Sequence, residues 1–181
     1  MSAADAAEGG PIKFMSQVIS LDYKIRTAPV AREFGRQMEA GRITGHKCPL
    51  CGRVYVPPRG FCPICVVETS ATDEVTVADR GVVTSWTVLT PIQYHGQKER
   101  EDYALASILL DGASGTIGQQ RLLDVELPAI RMGMRVEGVW APESERGADD
   151  SRGWGFGSAI KGFRPTGEPD AGPDVYEEHQ L

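Results

Sequence analysis

The sequence lacks the motifs that usually mark a self-sufficient enzyme. Its 181 residues contain no GxSxG elbow, no Walker A loop and no strand-linked GxGxxG fingerprint. Histidine is scarce as well, and none of the three, His46, His95 and His179, lies beside an evident nucleophile. All four cysteines are confined to one short patch whose spacing suits a metal, so none remains for covalent catalysis. We therefore predict no catalytic residue in this chain.

Long apolar runs and targeting signals are also missing. No run approaches the roughly 18–20 apolar residues that span a bilayer. The opening stretch, MSAADAAEGG, is small and acidic and lacks the basic and apolar regions of a secretory signal. We expect a cytoplasmic protein with no membrane partner.

Positive charge is in deficit. The net charge is -6 and the sequence pI is about 5.1, whereas a nucleic-acid binder usually presents a basic surface to phosphates. This balance argues against DNA or RNA as the main partner. A single-stranded nucleic-acid-binding module stays the alternative, because Trp86, Tyr94 and Tyr103 could stack on bases.

The cysteines are the most informative residues. They form two CxxC pairs, Cys48 with Cys51 and Cys62 with Cys65, separated by ten residues. The cytosol keeps such thiols reduced, so disulfides are not expected. Each CxxC bends into a knuckle that directs two sulfurs at one point, and two knuckles complete a tetrahedron of Zn–S bonds of about 2.3 Å. The spacing predicts one Zn²⁺ held by all four thiolates.

A site of this kind is closed, because thiolates take every ligand position and leave none for water or substrate. The predicted zinc is therefore structural. A rubredoxin-like iron centre and a dithiol redox pair are the alternatives, and a redox protein seldom carries two adjacent CxxC motifs. Gly52, immediately after the first pair, suits the turn that brings peptide N–H groups to the sulfurs.

A helix is predicted just before the cysteine patch. Pro29 suits a first helical turn, and apolar side chains recur every four residues at Val30, Phe34 and Met38. This stripe is either part of the chain's own core or a docking face, since a small zinc ribbon offers little core to receive it. We take Phe34 and Met38 as candidate residues of a partner interface. Residues 1–28 form an N-terminal extension without strong periodicity.

From residue 75 the apolar period becomes two, as in strands. Five such segments, separated by turns and without comparable helices between them, predict a small closed β-barrel over residues 71–165. The segments are 75–89, 103–110, 116–127, 134–141 and 156–165. The tail, residues 166–181, is rich in proline and acidic residues and is predicted to be flexible.

The order of these elements and several short motifs resemble a known family. The motifs are EAGRITGHKC, the CGxxxxPPR core, the second CPxC, the strand RGVVTSWTV and the later GMRVEGVW. They cover roughly residues 31–141, and GFRP extends the likeness to residue 165. The chain is similar to the zinc-ribbon/OB-fold proteins associated with acyl-CoA metabolism. The pairing of CGxxxxPPR with CPxC is fairly specific, although Val66 departs from the small or polar residue expected after the second pair.

The resemblance implies a mainly β fold, with an N-terminal helix and rubredoxin-like zinc ribbon over residues 29–70 and a five-stranded OB-fold barrel over residues 71–165. Members of that family are typically small, non-catalytic subunits of thiolase-superfamily enzymes. The resemblance therefore implies a thiolase-like or lipid-transfer-protein-like catalytic partner, a heterotetramer, and docking through the ribbon and its preceding helix. Acyl-CoA, from steroid side-chain or aromatic degradation, would be a ligand shared with that partner.

A coenzyme A tail carries phosphates, so cations near the cysteine patch are candidates to contact it. Those we select are Lys47, Arg59 and Arg80, which lie in or near the patch in the sequence. For each of them, an ordinary solvated charge is the alternative.

Overall fold

The computed structural model describes residues 26–91, 100–147 and 159–179, together with Gln17, Ile19 and Leu21. His95, Tyr94 and most of the N-terminal extension lie outside the described residues. Within the described ranges, no helix is long and apolar enough to cross a membrane.

Helix α1 spans Pro29–Glu39, as the proline and the four-residue apolar period predict. Phe34 and Met38 lie one turn apart on one face of the helix, and both are buried. The chain leaves the helix through Gly41, whose φ of +75° is a left-handed conformation that glycine adopts readily. A second helix, α2 (Pro173–Tyr176), is short and lies near the C-terminus.

Five short strands build the cysteine patch and its support. They are β1 (Ile43–Lys47), β2 (Val54–Tyr55), β3 (Phe61–Cys62), β4 (Val67–Glu68) and β5 (Glu74–Val77). β1 is the central strand of an antiparallel sheet in the order β2-β1-β5, while β3 and β4 form a separate hairpin. Helix α1 packs against β1, which is buried along most of its length.

A second, larger sheet follows. Its strands are β6 (Arg80–Leu89), β7 (Tyr103–Leu110), β8 (Ile117–Arg121), β9 (Arg135–Trp140) and β10 (Ile160–Pro165). They pair antiparallel in the order β10-β9-β6-β7-β8. Along β7, half-buried and buried residues alternate, which is the period of two that predicted this strand.

The predicted strand over residues 75–89 is divided in the structure. Its first part belongs to β5, which pairs with β1 of the ribbon, and only its second part, β6, enters the larger sheet. One hydrophobic core runs through both regions: it contains Ile43 and Val54 of the ribbon together with Val83 and Ile108 of the larger sheet. The predicted domain boundary is therefore not a break in packing.

The two edge strands of the larger sheet meet at one point. Leu122, just after β8, forms an isolated parallel bridge with Phe163 of β10, and Leu123 donates its N–H to the Phe163 carbonyl at 2.8 Å. Gly162 permits this close approach, because a Cβ there would lie 2.5 Å from the Arg121 carbonyl oxygen. The sheet thus closes through a single bridge and not through the continuous ladder of a fully closed barrel.

The C-terminal tail, which is predicted to be flexible, contacts the folded body in its described part, residues 166–179. Asp170 accepts two hydrogen bonds from Arg131, and Glu168 pairs with Arg80 at 2.9 Å. The tail's acidic composition suggested disorder because such segments bury little apolar surface. Here arginines of the folded body pair with these acidic side chains and offset their charge.

Candidate metal centre and exposed ribbon surface

The two CxxC pairs form matching knuckles. In the first, the backbone nitrogen of Cys51 donates to Cys48 Sγ at 3.5 Å, and in the second, the nitrogen of Cys65 donates to Cys62 Sγ at the same distance. A backbone hydrogen bond of 2.9 Å closes each knuckle, accepted by the Cys48 carbonyl in one and by the Cys62 carbonyl in the other. β1 ends one residue before Cys48 and β3 contains Cys62, so strands position both pairs.

The four sulfurs converge on one point. Their Sγ atoms all lie within 4.8 Å of one another, and those of Cys51 and Cys62, from different knuckles, are 3.7 Å apart. A tetrahedral Zn²⁺ with Zn–S bonds of about 2.3 Å requires S···S edges of about 3.8 Å. The donor set and its spacing therefore fit a Zn(Cys)4 centre, and because all four positions are thiolates, its role is structural.

Local hydrogen bonds shift the pKa values of two of the thiols in opposite directions. The backbone N–H of Cys51 stabilises the Cys48 thiolate and lowers the pKa of Cys48 to about 7. Hydrogen bonding to the Cys51 sulfur, together with burial, raises the pKa of Cys65 to about 12. Crowded sulfurs resist further negative charge, and a divalent cation offsets that repulsion. Metal binding to this cluster is therefore coupled to proton release.

The residue that follows each knuckle has a left-handed backbone. Gly52 has a φ of +71°, and Val66, its counterpart in the second knuckle, has a φ of +54°. Glycine adopts this conformation freely, but a β-branched residue does so only under strain. The Val66 side chain is 83% exposed, so packing does little to compensate. Val66, which stands where a small or polar residue is expected, is therefore a locally strained position.

We expect Val66→Gly to stabilise the zinc-bound protein by about 1 kcal/mol. Relief of about 1–3 kcal/mol of strain is partly offset by the greater flexibility of glycine in the unfolded chain. Chemical denaturation of the zinc-loaded protein measures the difference, and Gly52→Val, the reverse change in the other knuckle, should be destabilising. A destabilised Val66→Gly protein would mean that the valine side chain makes a contact that outweighs the strain.

His46 lies in β1, two residues before Cys48. Its Nδ1 lies 3.1 Å from the hydroxyl of Thr69, and the side chain is buried. Burial lowers the pKa of His46, while the negative charge of Glu74 opposes that shift. The contact with Thr69 gives the buried ring a polar partner within the ribbon.

The three cations selected for coenzyme A phosphates occupy different surroundings. Lys47 ends β1 and lines a shallow depression of about 440 Å³ beside the first knuckle. Arg59 lies over the ring of Tyr55, 5.7 Å from its centroid. Arg80 pairs with Glu168 of the tail. Within the described residues, these three cations have separate partners and do not form one shared site.

The interface residues predicted on α1 belong to the chain's own core. Phe34 is 2% and Met38 1% exposed, and both join the hydrophobic core together with Ile43 and Val77. The assignment of this pair to a partner interface is therefore corrected in favour of the core alternative. The physical reason is that β5 extends the ribbon sheet, so the helix has a larger support than a bare zinc ribbon would provide.

Exposed apolar side chains occur at the knuckles instead. Leu50 and Ile64, each placed just before the second cysteine of its pair, are 72% and 62% exposed. Phe61 precedes the second knuckle and Val66 follows it, and both are also exposed. These four residues define the knuckle-tip surface. Sequence reasoning missed it, although the signal was present: a knuckle turns its cysteines inward, so a large aliphatic residue between them must point outward.

These features define the class of protein: a rubredoxin-like zinc ribbon joined to an OB-fold domain. A family model described as the rubredoxin-like zinc ribbon domain of ChsH2 matches residues 39–68, and one described as the C-terminal OB-fold domain of ChsH2 matches residues 74–141. A DUF35 domain-containing scaffold protein from Methanothermobacter thermautotrophicus is 30% identical over 115 residues, covering 63% of this chain and 83% of that protein. The chain belongs to the DUF35 family, with the zinc ribbon and OB-fold domains of ChsH2 type.

Two solved structures share the fold. A DUF35-family protein of unknown function from Sulfolobus solfataricus has a TM-score of 0.50 and 23% identity, over 62% of this chain and 79% of that one. The structure described as an Ltp2-ChsH2(DUF35) aldolase has a TM-score of 0.55 and 19% identity, over 78% of this chain and 98% of that one. The resemblance and the fold class inferred from the sequence motifs are thereby confirmed.

Proposed function

We propose that this chain is a non-catalytic scaffold subunit that docks on a thiolase-superfamily catalytic subunit through the knuckle-tip surface. The observation that carries the proposal is the exposure of four apolar residues around a closed, structural metal centre. Exposed apolar groups gathered in this way on a small protein commonly mark an interaction site. A rigid metal-bound knuckle also presents its side chains without further ordering on binding, which favours affinity.

The relatives support a partner of this kind. The methanogen relative is named a scaffold protein, and the structural neighbour is named an aldolase formed by Ltp2 with a DUF35 chain. By analogy, the partner of this chain would supply the catalytic groups for carbon–carbon bond cleavage or formation on an acyl-CoA, in a heterotetramer. Steroid side-chain or aromatic acyl groups are the substrates that we propose.

The acyl-CoA would be shared between the subunits. Lys47 lies next to the first knuckle and is exposed, which supports a role in binding a phosphate near the docked partner. Arg59 is exposed as well, and its guanidinium, which lies over Tyr55, is of the kind that binds phosphate in a forked geometry. Arg80 already has a carboxylate partner in the tail, so a phosphate would have to displace Glu168.

Co-expression and co-purification with a candidate thiolase-like catalytic subunit test the proposal. Leu50→Asp and Ile64→Asp should each abolish the complex, because interface energy concentrates in a few anchors that contribute about 2 kcal/mol or more. Zinc content should be unchanged, since neither residue is a ligand. Val175→Asp is the matched control: Val175 is also an exposed aliphatic residue, but it lies on α2.

The complex should survive Val175→Asp and be lost in both knuckle variants. Retention of the complex in both knuckle variants would exclude the knuckle-tip surface as the docking site. Nucleic acid co-purifying with the chain in place of a protein partner would favour the single-stranded nucleic-acid alternative, for which the exposed Trp86 of β6 is available.

A further inference from the structure

Three arginines lie together at one end of the larger sheet. Arg80 begins β6, Arg135 begins β9, and Arg131 lies in the turn before β9. Arg80 and Arg135 share the carboxylate of Glu168, at N···O distances of 2.9 Å and 3.7 Å. Arg131 holds Asp170 with two hydrogen bonds. These three residues define the arginine cluster, and the tail carboxylates already occupy it.

The folded body neutralises only part of this positive charge. Asp111 accepts two hydrogen bonds from Arg135, so two of the three guanidinium charges remain for other partners. Glu168 and Asp170 supply the two matching negative charges. The Nε of Arg80 is buried and, in the part of the chain that is described, has no hydrogen-bond partner. The cluster therefore has the charge and the free donor capacity of a site for a doubly charged anion.

The tail fits this surface through the backbone as well. Ala171 donates its N–H to the Gly133 carbonyl at 2.8 Å, and Thr166 donates its N–H to the Arg135 carbonyl at 3.0 Å. At Gly133, which has a φ of +83°, a Cβ would lie 2.7 Å from the Ala171 carbonyl oxygen, so glycine is required for the tail to lie so close.

The contacts that hold the tail are nevertheless of a reversible kind. Helix α2 buries none of its residues, and the arginine–carboxylate pairs are at least partly exposed to solvent. Exposed ion pairs contribute little and are screened by salt. Arg80 lowers the pKa of Glu168, so this carboxylate stays charged at neutral pH and its pairing responds to competing anions.

We propose that residues 166–179 form a latch that competes with a diphosphate-bearing ligand for the arginine cluster. A diphosphate carries at least two negative charges, enough to replace those of Glu168 and Asp170 in the arginine cluster. Guanidinium groups bind phosphate oxygens in the same forked geometry that they use for carboxylates. Ligand binding releases the tail, and tail docking lowers the apparent affinity for the ligand. The latch acts within the isolated chain, so it does not depend on the partner proposed above.

Full-length Glu168→Gln/Asp170→Asn protein tests the competition, with inorganic pyrophosphate as the probe and titration calorimetry as the measurement. A latch that is closed about nine-tenths of the time lowers the apparent affinity about tenfold, so the double variant should bind pyrophosphate about tenfold more tightly than the wild type. Glu177→Gln/Glu178→Gln is the matched control. It removes the same charge from exposed tail positions that do not contact the cluster, and should leave the affinity unchanged.

Two further measurements separate a latch from a purely structural tail. Hydrogen exchange in residues 166–179 of the wild type should become faster when pyrophosphate is added, and Arg80→Gln/Arg131→Gln in the double variant should abolish binding. ADP and coenzyme A, titrated in parallel, distinguish the sources of a diphosphate: equal affinity indicates a nucleotide, and tighter binding of coenzyme A indicates an acyl carrier. Absence of pyrophosphate binding by the double variant, or equal affinity in all three proteins, would overturn the proposal and leave the docking proposal unaffected.

Discussion

Replacing Cys62 by serine should remove zinc from the protein and unfold its ribbon. Cys62 is fully buried, and its sulfur lies 3.7 Å from that of Cys51 in the opposite knuckle. Its loss therefore removes one of the four sulfur ligands of the predicted zinc. A neutral serine hydroxyl is a poor substitute for a thiolate ligand. In small zinc domains, metal binding contributes on the order of 10 kcal/mol, which is comparable to the whole stability of a typical domain.

Metal analysis and hydrogen exchange measure this outcome. Zinc should fall from one ion per chain to near zero, and exchange should become fast in β3 and β4, because the hairpin is two residues long on each side and has little else to hold it. Ile64→Ser is the matched control, since it places the same side chain in the same knuckle at a residue that is not a ligand. Full zinc retention in the Cys62→Ser protein, or iron in the wild type, would contradict the assignment.

Replacing Phe34 by alanine should lower the free energy of unfolding of the isolated chain by about 3–5 kcal/mol. Its side chain is buried in the core between α1 and the ribbon sheet, and truncation of a buried phenylalanine removes apolar contact and leaves a cavity. For a chain of this size, that loss corresponds to a fall in melting temperature of about 10 °C. Zinc content should not change.

Thermal unfolding of the isolated protein checks this expectation. Arg32→Ala is the matched control, because Arg32 lies on the same helix with its side chain exposed, so its removal should leave the melting temperature nearly unchanged. If Phe34→Ala left stability intact but abolished binding to the catalytic partner, the core assignment would be wrong and α1 would be part of the interface after all.

Features set by local spacing were predictable from the sequence. The metal site follows from two CxxC pairs, because each knuckle is formed by residues that are neighbours in the chain. Helix α1 follows from Pro29 and a four-residue apolar period, and β7 from strict alternation. In each case the residues that determine the structure lie within a few positions of one another, so periodicity and motif spacing were sufficient.

Features set by distant partners were not predictable in the same way. The stretch over residues 75–89 has one continuous β pattern, yet its pairing with β1 divides it between two sheets. The third predicted strand, over residues 116–127, ends at Arg121, where the chain turns to form the bridge with β10. The tail contacts the folded body through Arg131, which is far from Asp170 in the sequence but close to it in space. Amino-acid composition and local periodicity do not indicate which residues far apart in the sequence come into contact.

The division between β5 and β6 has a consequence for assembly. Only Ala78 and Asp79 connect the two strands. Asp79 is anchored to β9 at two atoms: its carboxylate accepts a 2.7 Å hydrogen bond from the indole of Trp140, and its carbonyl accepts another, also of 2.7 Å, from the N–H of Gly138. The ribbon and the larger sheet also share one hydrophobic core. These contacts restrict rotation of the ribbon relative to the OB-fold domain at this connection. A subunit that binds the knuckle-tip surface, as we propose, would therefore also fix the orientation of the OB-fold domain.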